Sequence, residues 1–130
     1  MTKASGPSTQ RPVVLIIDDD RVMRELLTLH LRNAGYGVIA ADDGIAGGYL
    51  ALSSKPDLVI VDVDMPHMTG YQLVEALKSD SLTRHIPVIF LTSREDVDDH
   101  ARKLGAEAYL RKPVKSDRLL QVVAFFSLPA

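Results

Sequence analysis

A doubly wound α/β fold built on a five-stranded parallel sheet is what this chain predicts, on three observations. Five short apolar runs rich in Val, Ile and Leu recur along it, each bounded by charged or turn-forming residues. Each run is followed by a stretch whose apolar spacing or capping residues suit a helix. The links are short, and strands alternating with helices over short links imply parallel strands covered on both faces. At 130 residues the chain has room for one domain with one sizeable core.

Composition narrows the function classes. Charged residues are 25% and apolar ones 46%, ordinary for a globular chain. The net charge of −2 gives no general pull toward nucleic acid or an anionic membrane, so neither is expected as a direct partner. No cysteine is present, which excludes disulfides, thiolate zinc sites and a cysteine nucleophile. No apolar run approaches the roughly 20 residues of a membrane span. Met1 to Arg11 is polar and lacks the apolar core of a signal peptide. Residues 1–11 are therefore expected as a disordered tail, 12–127 as the folded domain and 128–130 as a short C-terminal end. The cytoplasm is the default location.

Val13 to Ile17 is a continuous β-branched run, expected as a buried strand, and it leads straight into Asp18, Asp19 and Asp20. Apolar residues from Val22 to Ala34 mostly fit a helical stripe, which Gly35 stops. Tyr36 to Ala40 is the second strand. Asp42-Asp43-Gly44 turns into a weaker helix, Ile45 to Leu52, loosened by Gly47 and Gly48. Asp57 to Asp62 is the third strand, and its acid end is followed by Asp64, a Met-Pro turn and Gly70. Thr69 with Gln72 makes a capping box for a helix to about Ser79. Asp80 to His85 is a loop. Pro87 to Leu91 is the fourth strand, ending at Thr92-Ser93, and Ser93 with Asp96 starts a helix that Gly105 closes. Glu107 to Leu110 is the fifth strand, Lys112-Pro113 a turn, and Ser116 the cap of a last helix to about Phe126.

In open parallel sheets, ligands sit outside the carboxyl ends of the strands. Asp18 and Asp19, Asp62 and Thr92 all lie at such ends, and Lys112 follows the fifth strand closely. With the flavodoxin-like strand order 2-1-3-4-5, strands 1 and 3 are neighbours at the switch point, and Asp18, Asp19 and Asp62 share one pocket. Three carboxylates in one crevice repel, and a hard divalent cation resolves this. Mg²⁺ suits such oxygen ligands and also neutralises a transferring phosphoryl group. A carboxylate can then act as nucleophile and form an acyl phosphate. Lys112 supplies a point positive charge and Thr92 a hydroxyl for phosphoryl oxygens.

Four motifs in this order, the acid pair of IIDDD, VDVDMPHMTG, FLTS and YLRKP, make the chain resemble a response-regulator receiver domain of the two-component family. The resemblance covers about Val13 to Phe126 and is closest to the single-domain chemotaxis plan. It implies that Asp62 accepts phosphate from the phosphohistidine of a sensor histidine kinase or phosphotransfer protein. It implies that Asp19 binds Mg²⁺ (or Mn²⁺) directly, with Asp62, that Asp18 helps through water, and that the backbone carbonyl of Asp64 is a further ligand. Thr92 and Lys112 would contact the phosphoryl group, with Thr92 and Tyr109 as switch residues. The Lys112–Pro113 peptide would be cis. The face of the fourth helix, fifth strand and fifth helix would meet a downstream protein or a fused output domain, and would be the place for homodimerisation. Such a domain is a signalling switch rather than an enzyme, catalysing only its own phosphotransfer and dephosphorylation.

Val114 stands where many relatives carry Phe, and Thr69 where many carry Asp. Asp64 and Arg94 occupy positions that tune phosphoryl lifetime in the family. Taken singly, Asp18 and Asp19 are ordinary helix-capping acids, Lys112 a surface lysine and Tyr109 a half-buried strand aromatic. Asp20 is expected to cap the first helix. His30, His67, His85 and His100 show no ligand spacing, and Met23, Met65 and Met68 are packing residues. Two alternatives remain. Asp62-Val63-Asp64 resembles the nucleophile and acid of haloacid-dehalogenase phosphatases, although there the acidic pair comes late in the chain. A pseudo-receiver used only for docking would need no phosphate.

Overall fold

The structure, a computed structural model, describes residues 11–93 and 102–127. Residues 1–10 of the expected tail, the C-terminal end, and Arg94, Asp96 and His100 of the expected helix lie outside the described residues. Strands β1 (Val13–Ile17), β2 (Gly37–Ala41), β3 (Leu58–Asp62), β4 (Val88–Thr92) and β5 (Ala108–Arg111) form one sheet in the order β2-β1-β3-β4-β5. Every pairing is parallel. Helices α1 (Arg21–Asn33), α2 (Gly44–Ser54) and α3 (Gly70–Ser79) follow the first three strands. Residues 102–104 are helical (α4), and Ser116–Ser127 is α5. No helix among the described residues is long and apolar enough to cross a membrane.

The continuous apolar runs follow from burial on both faces. Alternate residues point to opposite sides of a strand. Leu15, Ile17, Val59, Val61 and Phe90 pack with α2 and α3, while Val14, Ile16, Leu58, Ile60, Ile89 and Leu91 pack with α1 and α5. Leu58 to Val61 are wholly buried, each worth roughly 1.5–3 kcal/mol relative to exposure. That anchors β3 at the centre of the sheet and fixes where its last residue, Asp62, emerges.

Element boundaries shift where a side chain or backbone group has another task. Tyr36 is not in β2: its N–H donates to Leu31 O while Gly35, at φ +99°, donates to Arg32 O, the pattern that ends a helix. Asp57 sits just before β3 and its carboxylate accepts from Val13 N at 2.7 Å. Glu107 precedes β5 and accepts from Val88 N at 2.7 Å. Ser116 is the first residue of α5 and not its cap, since the first turn bond runs from Leu119 N to Lys115 O. Gly47 is less a weakness in α2 than a packing requirement: a Cβ there would come within 2.6 Å of Ile17 Cδ1. Thr69 and Gln72 form the expected capping box.

Candidate functional site

The switch point between β1 and β3 brings the acids together. Asp18 directly follows β1 and is fully buried; Asp62 ends β3 and is 4% exposed; Asp19 is exposed at the rim. Carboxylate oxygens of Asp18, Asp19 and Asp62 all lie within 4.8 Å of one another. Asp20 does not join them. As expected, it caps α1, accepting from the N–H groups of Val22 and Met23.

Among the described residues, the Lys112 ammonium reaches into this cluster. Lys112 Nζ is 3.4 Å from Asp62 Oδ1 and 3.6 Å from Asp18 Oδ2. It arrives from β5 through a tight link, Lys112 N–H donating to Thr92 O at 2.7 Å, and is followed by the expected cis peptide to Pro113. Thr92 is fully buried at the end of β4. Asp62 pairs with Leu91, so Thr92 lies one residue further toward the same sheet end. Tyr109 pairs with Phe90 and packs, half-buried, against the α2–α3 side of the core. A groove of about 400 Å³ beside β5 is lined by Tyr109, Pro113, Val114, Lys115 and Arg118, away from the acids.

The electrostatics are strained. Burial, then the neighbouring Asp18 charge, push Asp62 up to about 6, against the pull of Lys112 and of the Asp64 N–H at 3.3 Å. Burial raises Asp18 as well, opposed by the Asp20 N–H and by Lys112. Asp18 Oδ1 accepts from Asp20 N at 2.9 Å, but Oδ2 is buried with no hydrogen-bond partner. The Lys112 ammonium at 3.6 Å supplies charge to that oxygen but no hydrogen bond, and a buried acceptor without one is costly. Three carboxylates against one ammonium, with one buried oxygen unsatisfied, suit a hard divalent cation with oxygen ligands.

Three contributors escaped sequence reasoning. Gly70 lies against the end of β3: a Cβ there would collide with the backbone carbonyl oxygen of Asp62, and its N–H donates to Val63 O. The MPHMTG segment contains the glycine, but nothing local says it touches backbone. Arg24 donates from its guanidinium to Asp18 O at 2.8 Å, tying α1 to the acid loop. His67 adopts φ +69°, a left-handed conformation unusual for a side-chain-bearing residue. The expected helical stripe on α1 is also double. Leu27 and Leu31 face the core, while Val22, Leu26 and Leu29 face solvent.

Known proteins agree with this architecture. The family model described as "Response regulator receiver domain" matches residues 14–124. The chain is 38% identical over 111 residues to the DNA-binding dual master transcriptional regulator RpaA of Synechocystis, covering 84% of this chain and 46% of RpaA. It is 37% identical over 112 residues to Protein PilH of Pseudomonas aeruginosa, covering 85% and 93%. The chain thus spans about half the length of RpaA and nearly all of PilH. The structure of the chemotaxis response regulator CheY4 of Vibrio cholerae superposes with a TM-score of 0.85 at 30% identity, over 92% of this chain and 100% of CheY4.

Proposed function

This chain belongs to the response regulator receiver domain family, and we propose on that premise that Asp62 is a phosphoryl acceptor served by a histidine kinase or phosphotransfer protein. An ionised Asp62 oxygen attacks phosphorus. The N–P bond of the phosphohistidine breaks, an O–P acyl phosphate bond forms, and the imidazole nitrogen keeps the electron pair and takes up a proton. The carrying observation is the position of Asp62. It is a buried carboxylate at a strand end, 3.4 Å from the Lys112 ammonium, which favours its ionised form. Asp18, Asp19 and Asp62, with the Asp64 carbonyl, are the residues that would hold Mg²⁺ or Mn²⁺. A bound cation of that kind neutralises phosphoryl oxygen charge.

Lys112 holds the incoming phosphoryl group by charge and Thr92 by its hydroxyl. Tyr109, on the strand that follows Thr92 in the sheet, reports that state to the face of β5 and α5. The groove lined by Tyr109, Lys115 and Arg118 supports a partner surface there, protein target or output domain. Val22, Leu26 and Leu29 form an exposed apolar stripe on α1 that starts beside the acid loop, which supports docking of the phosphodonor. The phosphatase reading gains no such support: the acid pair precedes the nucleophile in the chain, as in the receiver plan.

Intact-mass measurement after incubation with acetyl phosphate tests the acceptor. A single Mg²⁺-dependent phosphoryl adduct is expected on the wild type and none on Asp62→Asn. An unmodified wild type, or an adduct that persists in Asp62→Asn, overturns the assignment. Thr92→Ala tests the switch. It is expected to accept phosphate and yet fail to gain partner affinity.

A further inference from the structure

Helix α2 is unusual for a surface helix. From Gly44 to Ser54 it carries no charged residue, and Ile45, Tyr49 and Leu52 are 73%, 70% and 42% exposed. Their spacing of four and three residues puts all three on one stripe. A helix that is apolar all round is normally buried. Here the inner side already is, with Gly47 against Ile17 and Ala51 in the core, so the outer stripe is surplus to folding. It lies over β1 and β2, at the opposite edge of the sheet from β5.

We propose that α2 is a self-association surface, on which two copies of this chain pair their α2 helices antiparallel about a twofold axis at Tyr49. Charge complementarity selects a second copy. The neutral stripe ends in acids at its N-terminus, Asp42 and Asp43, and in a cation at its C-terminus, Lys55. Asp42 lies seven residues before Tyr49 and Lys55 six after, both exposed, so antiparallel pairing brings each copy's Asp42 toward the other's Lys55, while Asp43 stays engaged as the cap of its own helix. It also opposes the two helix dipoles favourably. Tyr49 stacks on its symmetry mate, and Ile45 meets Leu52 and Ser53 of the second copy. An isologous patch of this kind closes at two subunits.

Area sets the strength. The three side chains expose roughly 400 Å² per copy, within the roughly 300–600 Å² of the largest apolar patch on a typical monomer. Pairing therefore buries roughly 800 Å² in all, short of the about 1,200 Å² of a stable interface. The dimer is reversible and concentration-dependent, and it leaves β5 and α5 free.

Sedimentation velocity from about 10 µM to about 1 mM is expected to show the monomer giving way to dimer. Tyr49→Glu, an exposed substitution that suits a helix, weakens association about tenfold or more. The chain has no cysteine, so Tyr49→Cys offers a single reporter. Under mild oxidation it is expected to form a disulfide dimer much faster than Leu82→Cys, a control 66% exposed in the turn between α3 and β4. Asp42→Lys and Lys55→Asp each weaken the dimer, and the double reversal restores it. A wild type that stays monomeric throughout overturns the proposal, whether or not it binds neutral lipid vesicles or another protein through α2. So does a Tyr49→Cys disulfide no faster than the control. Failure of the double reversal to restore association overturns the antiparallel arrangement.

Discussion

The Lys112 ammonium stands 3.4 Å from Asp62 Oδ1, so the cation closing the site arrives from two strands away. Among the described residues it is the side-chain charge that favours an ionised Asp62, against burial and the Asp18 carboxylate. Lys112→Met should therefore lift Asp62 further above its value of about 6. Titration of the Asp62 carboxyl carbon by NMR checks this; an unchanged midpoint means the ion pair contributes nothing.

The pH dependence of stability carries the opposite sign from an ordinary salt-bridged acid. Asp62 goes from 3.8 in the unfolded chain to about 6 in the fold. Between those values the folded state binds more protons, so stability falls as pH rises through the window and the penalty is complete above it. The shift corresponds to about 2–3 kcal/mol. Asp62→Asn removes the penalty and should be more stable than wild type at pH 7 by up to that amount. The advantage should vanish near about pH 4. Urea unfolding of both proteins across the window measures it.

Divalent cations should stabilise the wild type at neutral pH. Mg²⁺ at a hundredfold excess over its dissociation constant adds about 2.7 kcal/mol. Protons compete for the same carboxylates, so the gain in melting temperature should shrink as pH drops from about 7 to about 5. Asp62→Asn and Asp19→Asn should lose most of it. A gain equal in all three proteins would place the ion elsewhere.

Two glycines should respond in opposite directions. In Gly70→Ala the new methyl meets backbone of Asp62, which has no flexible end to move aside, and a loss of about 3 kcal/mol or more is expected. In Gly48→Ala the methyl meets only Leu73 Cδ1 at an ordinary 3.5 Å, so helix propensity should win by about 0.5–1 kcal/mol. Thermal unfolding of the two variants separates packing from propensity.

Much of the site was legible because chemistry at the end of a parallel strand leaves a local mark. An apolar run stopped by an acid names both the strand and its exit, as Ile17-Asp18 and Val61-Asp62 do. Asp20 was separable from Asp18 and Asp19 because capping is also local. What was not legible depends on neighbours distant in the chain. Arg24 reads as one more helix arginine until its guanidinium is seen on Asp18 O. The α1 leucines share one apolar count, although half serve the core and half face solvent.

The sequence by itself determined the fold class, the five strands, and which acids, threonine and lysine stand at or just past the carboxyl ends of those strands. Those follow from alternation, burial and residue chemistry, which act over a few residues at a time. Only the tertiary structure decided that Asp18 is buried with one oxygen that accepts no hydrogen bond, that the Lys112 ammonium stands between that oxygen and Asp62, and that Gly70 must be a glycine. Desolvation and close approach are set by what surrounds a group on all sides, and those surroundings come from strands that meet only once the sheet has formed.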